Sequence, residues 1–195
     1  MLLLSLLLLV TAPVGADCSY DRAAMLALDE DQFDQDLDGG WRALENRGCL
    51  AEAADLLRAY RDAVPRRSAA LLIWHEGQLR ATMGQTDQAI ALFEQARKPV
   101  AEDSIGWNHY VDGSIAFLRH DRPALQAARD RLAQVPPPAE RPTFTLNGQT
   151  VTPPWPLNLN VLDGFLACFD RSYADAYGPE CSKPMKLEAV PPSRD

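Results

Sequence analysis

The densest set of potential ligand side chains is an acidic run in the N-terminal third of the chain. Asp34, Asp36 and Asp38 alternate with other residues, Gly39 follows, and Glu45 closes the run. This spacing places carboxylates at positions 1, 3, 5 and 12 of a loop, the arrangement that holds a calcium ion through oxygen ligands. Calcium binding by residues 34–45 is therefore one hypothesis for this segment.

The segment is similar to an EF-hand loop, but its surroundings favour another interpretation. Gly48 interrupts the helix that should follow, three residues after Glu45, and the chain has no second loop of this kind to pair with the first. An acidic, solvated loop that leads into a helix beginning near Asp38 or Gly40 explains the same residues. We therefore expect no metal, and keep calcium binding as the alternative.

The histidines and cysteines do not form a recognisable catalytic set. A nucleophile needs a base and an orienting group that converge on it. His75 and Glu76 are sequence neighbours and so point to different helix faces, while His109 and His120 have no serine or cysteine in an activated setting. We expect neither an enzyme nor a cofactor, and keep an unrecognised hydrolase as a further alternative.

The N-terminus predicts export. Residues 2–10 are almost wholly apolar and are followed by Val14-Gly15-Ala16. This is typical of a signal peptide over residues 1–16, in a periplasmic or secreted protein. Four cysteines in an oxidising compartment predict two disulfides. Three pairings are possible, and we favour Cys18–Cys49 with Cys168–Cys181, because each pair then fixes one end of the chain.

The charge balance narrows the class of partner. With 27 acidic against 19 basic side chains the net charge is −8. Nucleic acids and anionic membranes attract basic surfaces. We therefore expect no nucleic acid, no membrane once the signal peptide is removed, and a protein or peptide partner with a basic surface.

Helical periodicity dominates residues 41–135, where apolar residues recur at intervals of three and four. Glycine and proline interrupt the pattern at regular points. The result is three antiparallel pairs of helices within the region 17–138. The predicted helices are 40–47, 50–63, 67–83, 86–97, 103–119 and 122–134.

The pairs repeat with a period of 36 residues. Gly48, Ala53 and Leu57 recur as Gly84, Ala89 and Phe93. This pattern resembles the tetratricopeptide repeat, with its strongest copy at 70–103, a weaker one at 34–67 and a degenerate one at 106–139. The residues of the strongest copy that carry the resemblance are Gly77, Gly84, Ala89, Phe93 and Ala96.

The C-terminal quarter of the chain has a different sequence pattern from the helical region. Alternating residues on both sides of Asn147-Gly148 predict a β-hairpin. An apolar helix at about 158–177 should then cover the open end of the repeats. The expected fold is mainly all-α, with a TPR-like solenoid, a small hairpin and a C-terminal capping helix. The hairpin and helix occupy 139–182 of the same domain, and 183–195 form a loose tail.

The resemblance also implies a binding surface. In tetratricopeptide proteins the ligand lies in a concave groove lined by the first helix of each pair. We therefore expect an exported, non-catalytic protein-binding module, of which an inhibitor or immunity-type protein is one form. Alternatively, the groove aromatics are core residues packed against the C-terminal helix. The residues expected to contact the partner are Arg42, Trp74, Gln78, Trp107, Tyr110 and Ser114.

Overall fold

A computed structural model describes residues 17–63, 69–146 and 149–189, and these residues form a mainly helical domain with a small antiparallel sheet. The predicted signal peptide lies outside the described residues. The fold class is as predicted. The α-helices are α1 (Arg22–Leu26), α2 (Arg42–Glu45), α3 (Leu50–Ala63), α4 (Ala69–Thr82), α5 (Thr86–Gln95), α6 (Trp107–Leu118), α7 (Arg122–Ala133), α8 (Leu159–Ala167) and α9 (Tyr173–Tyr177). A π-helical turn spans Asp31–Gln35 and a 3-10 turn spans Val100–Glu102.

The three helix pairs α2–α3, α4–α5 and α6–α7 share one turn geometry. Gly48, Gly84 and His120, each 36 residues from the next, have left-handed φ values of 80°, 73° and 53°. After each of them, the next amide donates to the carbonyl five residues back, with N–O distances of 2.9, 2.8 and 2.9 Å. This is the Schellman ending of a helix. The degenerate third copy thus keeps the turn although it has lost the glycine.

Small residues on α4 and α6 allow other helices to approach closely. A Cβ added to Gly77 would lie 2.6 Å from Cε1 of Phe93, which belongs to α5. A Cβ added to Gly113 would lie 2.6 Å from Cδ2 of Leu162. Gly77 therefore packs its own pair together, whereas Gly113 makes room for the C-terminal helix α8.

A buried charge joins α3 to α4. The Glu76 carboxylate is fully buried, and its oxygens lie 2.7 Å from guanidinium nitrogens of both Arg58 and Arg61 and 3.4 Å from Arg80. A buried carboxylate is tolerated only with such partners, because desolvation of an isolated charge is very costly. Glu76 thus faces α3, while its neighbour His75 faces elsewhere, as the helical geometry predicts.

Two disulfides have the predicted pairing. Cys18–Cys49 ties the segment before α1 to the start of α3, and Cys168–Cys181 links the end of α8 to the chain beyond α9. Their Cα–Cα distances of 5.5 and 5.9 Å are ordinary for disulfides. Both ends of the described chain are therefore attached covalently to the helical domain.

The C-terminal quarter departs from the expectation in two respects. The hairpin strands β1 (Phe144–Leu146) and β2 (Gln149–Thr152) are present, and Asn147-Gly148 between them lie outside the described residues. A third strand, β3 (Glu188–Ala189), pairs with β2, so this part of the expected loose tail has a fixed place. The single helix predicted at 158–177 is instead two helices, α8 and α9, because the chain turns at Cys168 and Ser172 caps α9.

No helix within the described ranges has the length and apolar character that a membrane crossing requires.

Candidate functional site

The C-terminal helices fill most of the expected groove. Phe117 on α6 stacks on Phe165 of α8 with ring centroids 4.4 Å apart, and Leu162 occupies the space beside Gly113. A stack of only three helix pairs leaves apolar faces of α4 and α6 that must be covered, and α8 and α9 cover them. The structure therefore shows the alternative arrangement, in which the chain's own C-terminal helices occupy the groove.

This packing corrects three of the six expected contact residues. Trp74, Tyr110 and Ser114 are 3%, 2% and 0% exposed. Trp74 lies 4.1 Å from Phe93 between ring centroids, and the Ser114 hydroxyl donates to the Tyr110 carbonyl oxygen at 3.0 Å. These residues belong to the core and present no surface to a partner in this structure.

Trp107 is half-buried, and its side chain makes contacts within the domain. Its indole N–H donates to the Ala96 carbonyl oxygen at 2.8 Å, and its ring packs edge-on against Trp74. This contact joins α6 to the end of α5. Of the six expected residues, Arg42 and Gln78 are the two that line an open cleft.

That cleft, which we call the α2–α4 cleft, has a volume of about 300 Å³ and lies between α2, α4 and α9. No residue of α8 lines this cleft. The side chains that form its walls are Trp41, Arg42, Glu45, His75, Gln78, Tyr173 and Tyr177, with Leu79 and Thr82 beside them.

A buried aspartate organises one wall of the cleft. Oδ1 of Asp34 lies 2.7 Å from Nδ1 of His75 and accepts a hydrogen bond from the Trp41 indole N–H at 2.8 Å. The Arg42 guanidinium donates to the Asp34 carbonyl oxygen and lies 3.6 Å from the carboxylate. Asp34 therefore fixes the positions of three cleft side chains at once.

The pKa of Asp34 reflects these contacts. Burial acts to raise it, but the hydrogen bond and charge of His75, the Trp41 N–H and the Arg42 charge outweigh burial and bring the pKa below its usual value. At 2% exposure the side chain is a buried, ionised acceptor. The expectation of a solvated acidic loop is thus wrong for Asp34.

The carboxylates of the calcium-type pattern do not come together. Asp34 points inward, Asp36 accepts a hydrogen bond from the Asp38 amide, and Glu45 lines the cleft. Among the described residues, the one cluster of three or more potential ligand side chains is Cys18, Cys49 and Glu52, and its cysteines form a disulfide. Gly40, with φ of 51°, instead brings Trp41 back against the Phe33 carbonyl.

Glu45 is the cleft's incompletely compensated charge. Burial raises its pKa, and the attraction of Arg42 and His75 only partly opposes that rise. Among the described residues no hydrogen bond to its carboxylate is formed. Arg42 and His75 both lie against Asp34, so Glu45 is the cleft carboxylate without a salt bridge within the described part of the chain.

Two tyrosines of α9 form the opposite wall. Tyr173 is 5% exposed, and burial raises its pKa well above the usual value. Its hydroxyl lies beside Gln78 but completes no hydrogen bond within the described part of the chain. Tyr177 is 40% exposed, with its ring centroid 5.7 Å from that of Tyr173.

A second groove, between α5, α6 and α7, has internally paired charges. Asp112 lies 2.8 Å from Arg97 and 3.2 Å from Arg131, and Arg97 also pairs with Glu94. Glu94, Arg97, Asp112 and Arg131 are thus paired with one another. Arg119 and Asp121 also line this groove and form no salt bridge within the described ranges.

The sequence does not identify Trp41, His75, Tyr173 and Tyr177 as cleft residues, nor Asp34 as the buried partner of Trp41 and His75. His75 was considered only for catalysis, and the α9 tyrosines only as part of an apolar helix face. A signal for Asp34 was available in its position directly after Phe33, which is buried against Tyr60 at a ring distance of 3.6 Å. The other two histidines lie apart from the cleft, His109 in the first turn of α6 and His120 in the turn that follows α6.

Comparison of the chain with family models, with curated proteins and with solved structures finds no match of any of the three kinds.

Proposed function

We propose that this chain is an exported, non-catalytic binding module that engages a basic protein or peptide through the α2–α4 cleft. The single observation that carries the proposal is Glu45, a half-buried carboxylate that no hydrogen bond from the described chain satisfies, in an open cleft beside an exposed tyrosine. Tetratricopeptide-like pairing of the helices supports a binding role. An inhibitor or immunity-type role is a specific form of this proposal.

The overall charge of the chain also supports a basic partner. A net charge of −8 attracts a basic partner from a distance, and the Glu45 carboxylate in the cleft provides the short-range contact. Tyrosine is also among the residue types that contribute most to interface energies. Two disulfides and the apolar N-terminal sequence support export.

Selection from a random peptide display library tests the proposal. The mature, oxidised protein should enrich peptides rich in lysine and arginine, and their affinity should fall with added salt. Tyr177→Ser should lose these peptides. Phe144→Ser, which changes an aromatic residue of equal 40% exposure on the distant hairpin, should keep them. Enrichment of neutral or acidic peptides, or equal binding by both variants, would overturn the proposal.

The Asp34–His75 pair favours one second candidate, a hydrolase. A buried carboxylate that holds one nitrogen of a histidine in a cleft is also the arrangement of a general base. His75 would take a proton from a water molecule whose oxygen attacks the substrate, and that proton would pass to the leaving group. Turnover of chromogenic esters, phosphates or glycosides that is lost in His75→Ala and kept in His109→Ala would establish this alternative.

A further inference from the structure

We infer that the α2–α4 cleft receives an arginine side chain of the partner, with its guanidinium group held between Glu45 and the two tyrosines of α9. This inference rests on the proposed binding function and names the chemical group that the cleft recognises. It follows from an acceptor, a buried hydroxyl and an exposed aromatic ring, all of which line the cleft.

The acceptor is the Glu45 carboxylate. Guanidinium groups bind carboxylates through two parallel N–H···O bonds, which are stronger than neutral hydrogen bonds. Glu45 has both the free acceptor capacity and the reduced solvation that make such a contact favourable. An anionic ligand would meet this carboxylate and be repelled.

The buried hydroxyl is that of Tyr173, an observation independent of the acidic group. It is 95% buried, lies in the cleft wall beside Gln78 and completes no hydrogen bond of ordinary geometry among the described residues. Buried polar groups in folded proteins nearly always have a partner, so an unpaired one in a cleft points to a ligand. A guanidinium group has five N–H donors in a fixed plane and can reach a second acceptor while it pairs with the first.

The exposed ring of Tyr177 supplies the face on which a planar cation can stack. The cleft already contains one such contact, because the Arg42 guanidinium lies 4.2 Å from the Trp41 ring centroid. Lysine has a point charge without a planar face, so acceptors on opposite walls and an exposed ring favour arginine. The volume of about 300 Å³ admits a long side chain and excludes a helix, which is about 10 Å across.

Isothermal titration calorimetry with N-acetyl-arginine amide tests the inference on the mature, oxidised protein at pH 7 and low salt. We expect saturable binding with one site per chain. Glu45→Gln should weaken it about tenfold or more, because a charged hydrogen-bonded pair is lost. Glu102→Gln, the same change on an exposed turn, should leave it within twofold. Tyr173→Phe, which keeps the ring and removes the hydroxyl, should weaken it about threefold.

Two further probes separate guanidinium recognition from other binding. The citrulline analogue has the same shape without the charge and should not bind, and the lysine analogue should bind at least fivefold more weakly. Equal binding by either probe, unchanged affinity in Glu45→Gln, or no saturable binding of the arginine probe would overturn the inference. If selected basic peptides still bind in that last case, the proposed function stands without arginine recognition; if they do not, both fail.

Discussion

Asp34 and His75 lie 41 residues apart in the chain, and their Oδ1 and Nδ1 atoms are 2.7 Å apart in the structure. This contact attaches the segment before α2 to α4 and sets the orientation of His75 in the cleft. Asp34 is thus a positioning residue for the cleft.

Loss of the Asp34 carboxylate should destabilise the domain. Asp34→Ala removes the partner of His75, Trp41 and Arg42, and breaking a buried charged contact in this way costs about 3 kcal/mol. Asp38→Ala, at an exposed carboxylate of the same loop, should cost less than about 0.5 kcal/mol. Denaturant unfolding followed by tryptophan fluorescence measures both. Equal free energies of unfolding for the two variants would contradict the role given to Asp34.

Stability should fall in acid partly through Asp34. The pKa of Asp34 is lower in the folded protein than its usual value, so its contribution is present above that usual value. The contribution is lost as the pH falls through the folded pKa. Unfolding measured from pH 7 to pH 2 should therefore show a smaller loss for Asp34→Ala than for the unmodified protein. Parallel curves would contradict this assignment.

Glu45→Gln should stabilise the protein at neutral pH. Burial raises the pKa of Glu45, which means that folding disfavours the ionised form. The two proteins should have equal stability well below the usual pKa of a glutamate, where both side chains are neutral. The variant should become the more stable one as the pH rises through the usual and then the raised pKa. A variant less stable at pH 7 would show that Glu45 is a structural rather than a binding residue.

The equivalent turns at Gly84 and His120 should show opposite changes in stability on substitution. Gly84→Ala should destabilise by about 1 kcal/mol, because φ is 73° and a Cβ there contacts nothing within 4 Å, so the backbone cost acts alone. His120→Gly should stabilise by about 0.5 to 1 kcal/mol for the same reason. Thermal unfolding of both variants measures this. A destabilised His120→Gly would mean that its ring contact with Phe169, at 5.9 Å, outweighs the backbone cost.

The filled groove predicts an energetic coupling between α6 and α8. Gly113→Ala should destabilise by about 2 kcal/mol through overpacking against Leu162. Leu162→Ala removes a fully buried side chain and should cost about 3 kcal/mol. Because the new methyl group fills part of the cavity, the double variant should be at least about 1 kcal/mol more stable than the sum of the single changes implies. Additive effects would contradict the close contact.

The helical part of the fold could be predicted because its signals are local. Glycine at the turns and apolar residues at helical spacing predict six helices. The placement of one pair of cysteines towards each end of the chain favours the two disulfides that the structure contains. None of these signals requires knowledge of tertiary contacts. The pairing of β3 with β2 joins residues far apart in sequence and left no local pattern.

The site was harder to predict because side-chain burial decides which residues are accessible to a partner. Trp74 and Tyr110 are of the aromatic residue types that often line binding grooves. Only the positions of α8 and α9 show that they are core residues. Asp34 has the spacing of a metal ligand, and only the structure shows that its carboxylate is buried against His75. Arg42 and Gln78 are groove positions implied by the resemblance to tetratricopeptide repeats, and both line the α2–α4 cleft.

The most direct test of the binding cleft is a nitrogen-15 NMR titration of the mature protein with N-acetyl-arginine amide, followed at the tryptophan indole N–H signals. Trp41 lines the cleft, whereas the indoles of Trp107 and Trp155 donate to backbone oxygens of Ala96 and Val135. We expect the Trp41 signal to shift and saturate, while the Trp155 signal stays in place and the Trp107 signal changes little. Shifts centred on Trp107 or Trp155, with Trp41 unaffected, would contradict the cleft as the binding site.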